Sequence, residues 1–314
     1  MEAKVTPLKA ASALAVAICA PYAFGPYGHY ILCMVLIYAI VGLSLNVVLG
    51  IGGQISIGQA AFWAIGAYAG AIFVGRLGMP LVLGVILGGV VASLFGMLVA
   101  MPALRVQGHY LAIATLGFAV VIQQILYEWD SVTGGRQGIA VERPVIAGVT
   151  FESDFAFYYV ILAFAIAAAW LTSNFKSSLN GLGLASLRMS SLAAQTCGIG
   201  RARQLVSAFA LSAFLAGISG GLYAHVIGQL STDSFTITTS MGFLTMAVIG
   251  GMNSIAGAVL GGLFFALAPE LLRELKDAQM LVYGVLLVLF MHFLPRGLAG
   301  VAASVRGLAS RRRA

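Results

Sequence analysis

Charge is what this chain has least of: Asp, Glu, Lys and Arg make up 9% of its 314 residues, where a soluble domain carries about a quarter. With 61% apolar residues and a mean hydropathy of +1.00, that shortage excludes an ordinary water-soluble domain. Cysteine is scarce as well. Cys19, Cys33 and Cys197 are far apart and form no CxxC pair, so neither a disulfide framework nor a metal site is implied. No lysine follows a glycine, so the chain lacks the Gly-Lys loop with which Walker-type ATPases cradle nucleotide phosphates. The middle of every apolar run is free of ionisable groups: Arg76, Arg105, Glu128 and Glu270 all stand at run ends. A proton- or sodium-driven carrier would place a titrating or ion-ligating group at that depth, so the energy source is expected elsewhere. His29, His109 and His292 lie at run edges, and His225, eight residues before Asp233, is better read as structural or vestibule-lining than as catalytic. No catalytic residue is assigned, and the chain is read as not being an enzyme.

What the chain has instead is apolar runs of bilayer-crossing length. Ten are read at 8–24, 30–50, 59–76, 80–101, 110–127, 155–172, 205–228, 239–252, 254–272 and 279–294, and nothing of soluble-domain size remains. Lipid gives the backbone no partners, and the period-two alternation of a barrel is missing, so the runs are helices and the class is all-α polytopic membrane protein, a single transmembrane domain over 1–314. The first run has Lys4, Lys9 and alanines near Ala20, as a cleaved leader would, but Pro21 and the immediate next run fit a retained helix better. The stretch ISGGL at 218–222 lies mid-run, where its glycines suit close helix packing.

Charge placement orients the runs. The 173–204 connection holds Lys176, Arg188, Arg201 and Arg203 with no acid, and the tail at 295–314 holds Arg296, Arg306, Arg311, Arg312 and Arg313 with none. The 128–154 connection holds five acids against Arg136 and Arg143. The positive-inside rule puts the first two in the cytoplasm and the third outside, with both termini cytoplasmic. The net charge of +7 follows from those segments and implies no nucleic-acid partner; SRRR at 310–313 reads as an anchor to anionic lipid.

Neutral polar residues are spread through the runs. Serine and threonine can bond their own helix, but the amides of Asn46, Gln54, Gln59 and Gln123 carry more donors and acceptors than one turn satisfies. With Ser56 and Thr115 they are candidates for a path taken by a neutral or zwitterionic solute. Three of them sit in VLGIGGQISIGQA, where Gly52 and Gly53 predict a broken helix. IGGQISIGQA at 51–60 and IGGMNSIAGA at 249–258 share six residues in register, so Gly250 and Gly251 predict a second break and the two halves an internal repeat. In the 173–204 connection, Ala193 and Ala194 precede Gly198, a pattern suited to a short helix with a shallow docking surface and a sharp turn after it.

GLSLNVVLG at 42–50, GQISIGQAAFWAIGAY at 53–68, LRVQGHYLAIATLGF at 104–118, TGGRQGI at 133–139, AAQTCG at 193–198, MAVIGGMNSIAGAVLG at 246–261 and FLPRGL at 293–298 occur in this order. Taken together they resemble the permease subunits of branched-chain amino acid ABC importers, the M-type in particular. The resemblance implies a ten-helix fold of the vitamin-B12-importer kind (type II) in the bacterial inner membrane. It also implies a heterodimer with a second related permease, two cytoplasmic ATPases that hold the ATP and Mg, and a periplasmic solute-binding protein. No cofactor is implied in this chain itself. The motif match gives Ala193, Ala194 and Gly198 the ATPase-coupling role, with Arg188 as a charge partner. Two departures stand out: Ser190, Ser191 and Leu192 occupy places where relatives carry an acid, and Gln59 stands where many have histidine. Similar permeases carry urea, short amides and aromatic carboxylates, which remain alternatives to branched-chain amino acids; a self-sufficient carrier or channel is the alternative of another class.

Overall fold

The computed structural model describes residues 15–106, 108–141, 145–146, 149–150, 154–252, 254–271 and 297–298. The apolar runs are helices, and their ends fall where local chemistry dictates. α1 (Pro26–Leu45) starts on a proline, whose missing N–H has no role in a first turn, and continues as a wider π-helical turn, Asn46–Ile51. After an irregular stretch come α2 (Gln59–Gly75), α3 (Leu81–Arg105) and α4 (His109–Glu128). α5 (Asp154–Ser177) leads through α6 (Leu179–Met189) and α7 (Ser191–Thr196) to α8 (Arg201–Ile227), which stops at Gly228 with φ +75°. α9 (Ile237–Gly250) and α10 (Ile255–Leu271) follow. Hydroxyl caps start three of these helices: Ser178 accepts from the Gly181 N–H, Ser190 from Ala193 and Thr236 from Thr239.

Eight of the ten expected spans coincide with α1–α5 and α8–α10. The run at 8–24 is described from residue 15 on, and 279–294 lies outside the described residues, as does the tail at 295–314 apart from 297–298. α1 with its π-turn, α3, α4, α5 and α8 are long and apolar enough to cross a bilayer alone. α2, α9 and α10 have 17, 14 and 17 residues, about 25, 21 and 25 Å, short of ~30 Å of hydrocarbon. Each of these three borders one of the two breaks. The basic connection differs from the expectation: α5 runs on to Ser177, with Lys176 in a last turn that favours a cation, and α8 starts at Arg201. What remains, 178–200, is mostly the two short helices α6 and α7.

α8 is the central element. It packs on α1, α2 and α3, and the approach is close because glycines meet backbone. A Cβ on Gly217 would lie 2.9 Å from Gly89 Cα, one on Gly88 2.8 Å from Gly66 O, and Gly220 sits directly on the Trp63 carbonyl. The glycines of ISGGL thus make the packing that the sequence suggested. Trp63, Tyr223, Phe235 and Phe243 form an aromatic cluster beside them.

Polar contacts sort the bundle into two ends. At one, Arg201 donates to Ala103 O at 3.4 Å, bringing the end of α3 to the start of α8. At the other, Arg76 donates to Ser131 O at 3.2 Å, Tyr127 to Asp233 Oδ1 and Tyr27 to Glu270 Oε2. Short antiparallel ladders also lie at this second end. β1 (Ile139–Ala140) pairs with β4 (Gln229–Leu230) after the end of α8, and β2 (Val145–Ile146) pairs with β3 (Val149–Thr150). TGGRQGI is what docks that connection: Thr133 Oγ1 donates to Leu126 O at 2.7 Å, Gly134 and Gly138 turn at φ +69° and +74°, and Ile139 then enters the ladder.

Candidate functional site

The two glycine breaks lie toward the end of the bundle that carries α6 and α7, and most of the polar side chains singled out from the sequence gather at the first. The wide turn at Asn46–Ile51 ends with Gly52, Gly53 and Gln54 donating back to Val47, Leu49 and Val48 carbonyls at 3.0–3.2 Å. Gly53 then takes φ +63°, a conformation that favours glycine, and the chain stays irregular to Gly58. Irregular backbone at membrane depth needs partners from other helices, and they are present. Thr115, fully buried on α4, accepts from the Ile57 N–H at 3.0 Å and donates to Ala112 O at 3.0 Å. Thr115 is six residues into α4, about 9 Å along the axis, so the break is well inside the bundle. Ser240 on α9 accepts from the Ala60 N–H at 3.0 Å and so caps α2 from another helix.

Gln59 is 1% exposed and donates from Nε2 to Ser44 Oγ and, at 3.2 Å, to Ser212 Oγ. Ser44 passes the chain on to Val41 O at 2.8 Å. Gln54 is half-buried, reaches back to Gly52 O at 3.3 Å, and lines a small cavity with Leu184, Leu187, Ser191, Arg201 and Leu205. The Ser56 hydroxyl is buried with no hydrogen-bond partner among the described residues. Gln123 is half-buried on α4, and the neighbouring Gln124 donates to Glu128 at 2.9 Å on that helix's exposed face.

The second break is held differently. α9 ends at Gly250, Gly251 turns at φ +109°, and α10 starts four residues later at Ile255. Here backbones touch: a Cβ on Gly250 would lie 3.0 Å from Gly261 Cα, one on Gly257 2.8 Å from Gly250 O, and one on Gly297 2.9 Å from Ile249 O. The glycine of the motif FLPRGL, Gly297, therefore packs against this break. Asn46 joins the two sites, donating from Nδ2 to Ser254 O at 2.9 Å.

The expected coupling residues lie just outside. Ala193 is exposed and Ala194 buried on α7, and Gly198 turns the chain at φ +83° with open space around it. Met189 at the end of α6 and Leu192 on α7 are 90% and 78% exposed. Arg188, expected as a charge partner for another subunit, turns inward and donates from Nη1 to Gly50 O. Its stem covers Gly53, where a Cβ would lie 2.8 Å from Arg188 Cγ, and Leu184 covers Gly52 at 3.3 Å. Asp233 takes its hydrogen bond from Tyr127, and His225 is buried on α8.

Sequence reasoning missed Ser44, Ser240 and Ser254 as parts of this site. Ser44 and Ser254 lie within the motifs quoted for the resemblance, beside the glycines. Ser240 carries no local signal, because its partner is 180 residues away.

A family model described as branched-chain amino acid transport system / permease component matches residues 29–291. The chain is 31% identical to the high-affinity branched-chain amino acid transport system permease protein LivM of Salmonella typhimurium, over 91% of this chain and 73% of the relative. It is 25% identical to the corresponding protein LivH of Escherichia coli, over 84% and 91%. It is also 25% identical to the nucleoside ABC transporter permease protein NupC of Lactococcus lactis, over 83% and 90%. No solved structure matches.

Proposed function

The chain belongs to the permease component family of branched-chain amino acid transport systems, and from that premise we propose that it forms half of the solute path of an ATP-driven importer. It is a multi-pass membrane protein. In the proposed assembly it pairs with a second related permease, as the family's LivM and LivH names suggest, and draws on two ATPases and an external solute-binding protein. ATP and Mg belong to those ATPases, and this chain brings no catalytic group of its own.

The observation that carries the proposal is the seating of α6 and α7. The segment 173–204 holds four cations and no acid, and its middle, α6 and α7, leaves the bundle, exposes Met189, Leu192 and Ala193, and rests its inner face on the first helix break. That is the arrangement a cytoplasmic handle requires. It also supports the orientation: the end bearing Lys176, Arg188, Arg201 and Arg203 faces the cytoplasm, the end bearing Glu128, Asp130, Asp233 and Glu270 faces out, and both termini lie inside. With the runs at 8–24 and 279–294 this gives ten spans in a type II arrangement.

The preferred solutes are leucine, isoleucine and valine. The path is neutral, and the amides beside it shape a break whose own hydrogen bonds they complete, so cargo is held weakly and released. The relative named for nucleoside transport keeps a nucleoside as the competing solute class. The test is uptake by vesicles carrying both permeases, the ATPases and the binding protein. Uptake of leucine should require ATP and should be competed by isoleucine and valine but not by adenosine or urea. Uphill uptake by this chain alone would sink the importer reading.

A further inference from the structure

Arg188 was expected to face another subunit, and the structure gives it a different partner. Its guanidinium donates to the carbonyl of Gly50, in the π-helical turn where the helical bonding pattern changes register. Its aliphatic stem lies against Gly53, and Leu184, one turn earlier on α6, lies against Gly52. A side chain at Gly53 would collide with Arg188, since a Cβ there falls 2.8 Å from Cγ and 3.0 Å from Cδ, and one at Gly52 would press on Leu184 at 3.3 Å. α6 is therefore keyed to the break by a charged donor at one point and an apolar contact at another. From the break the contacts continue: Thr115 holds Ile57, Ser240 holds Ala60, and Asn46 reaches Ser254 in the second break. A lysine would keep the aliphatic stem against Gly53 and could reach the same carbonyl, but only as a point charge without the guanidinium's planar fork of donors.

On the reading that the 178–200 connection is the cytoplasmic handle, we propose that Arg188 is the positioning residue that links it to the path. It holds the carbonyl of Gly50, and displacement of α6 withdraws that donor and remodels residues 50–58. The break then has two conditions, latched and unlatched, and the position of α6 biases them. This role differs from a contact with the ATPase, which on this proposal rests on Met189, Leu192 and Ala193 instead.

Two measurements test it. The first needs no partner subunit: amide hydrogen exchange on the full chain in lipid nanodiscs. Arg188→Gln should speed exchange at Gly52, Gly53 and Gln54 by about tenfold, and Arg188→Lys by less, while Ala193→Ser leaves these amides unchanged. Equal exchange in wild type and Arg188→Gln overturns the proposal. The second is solute uptake and ATP hydrolysis in vesicles bearing the whole assembly. Arg188→Gln should keep the ATPases bound and hydrolysing, with uptake per ATP reduced about tenfold and partly restored in Arg188→Lys. Loss of the ATPases from Arg188→Gln overturns the proposal, by making Arg188 a subunit contact. If the wild-type assembly binds no ATPase, the importer reading fails, and the exchange measurement still decides whether Arg188 latches the break.

Discussion

The two breaks use one backbone device and are held in opposite ways. In the aligned stretches 51–60 and 249–258, Gly53 and Gly251 occupy the same place and both turn at positive φ, +63° and +109°. Where the first stretch has Gln59, the second has Gly257. Gln59 fills its space with an amide bonded to Ser44 and Ser212, so α2 is placed by side chains from several helices. Gly257 leaves its space to the backbone of Gly250 and Gly251, so α9 and α10 close on each other directly. Hydrogen bonds of this kind contribute about 1 kcal/mol each and can be exchanged one at a time, whereas a backbone contact is either closed or open. The first break is thus the adjustable one, and it is also the one that α6 touches. The second is a fixed pivot, tied to the first through Asn46 and Ser254.

If that contrast is right, the largest effect comes from filling the pivot. Gly257→Leu places carbon where the Gly250 and Gly251 carbonyls now lie. Overpacking costs about 1–3 kcal/mol where side chains can give way, and here the neighbours are backbone, so the cost should reach the top of that range. Purified Gly257→Leu should lose most of its folded yield or unfold several degrees below wild type in a thermal scan. A wild-type midpoint would show that the two helices are not closed at this point.

Removing the amide at the equivalent place should do less. Gln59→Leu keeps the volume and leaves Ser44 and Ser212 without their donor, a loss of about 1–2 kcal/mol. The effect should couple to Ser212: in a double-mutant cycle with Ser212→Ala, the two changes together should cost about 0.6 kcal/mol less than their sum. Exact additivity would remove the bond from the account. A larger loss from Gln59→Leu than from Gly257→Leu would reverse the order of the two breaks.

The helices were legible because lipid leaves a long apolar run one backbone solution, and the breaks because Gly52 and Gly53 stand beside Gln54, Ser56 and Gln59 and the pattern returns at 249–258. TGGRQGI and FLPRGL could be recognised but not explained until Ile139 was seen in its ladder and Gly297 against Ile249. The direction of Arg188 was not legible at all. A cation in a basic connection looks like a surface charge, and only the fold brings the Gly50 carbonyl, 138 residues away, within its reach. The polar residues singled out together do mostly gather at the first break, yet composition could not say whether they face solute or one another. Asn46, Gln59 and Thr115 face protein, because a break buried among helices must satisfy its own backbone first.

The smallest expected effect tests whether the first break is adjustable bond by bond. Thr115→Val keeps the side chain's shape on α4 and removes one acceptor, leaving the Ile57 N–H to open without a partner. The helix around residue 115 loses only a hydroxyl that was bonded back to Ala112, so the bundle should unfold at nearly the wild-type temperature. Hydrogen bonds between membrane helices average about 0.6 kcal/mol, which corresponds to roughly threefold faster amide exchange at Ile57. That change should stay local, with Ala60, held by Ser240, exchanging as in wild type. If Ile57 and Ala60 speed up together, the bonds of the first break open as one unit, and the difference from the glycine-closed pivot is one of chemistry and not of cooperativity.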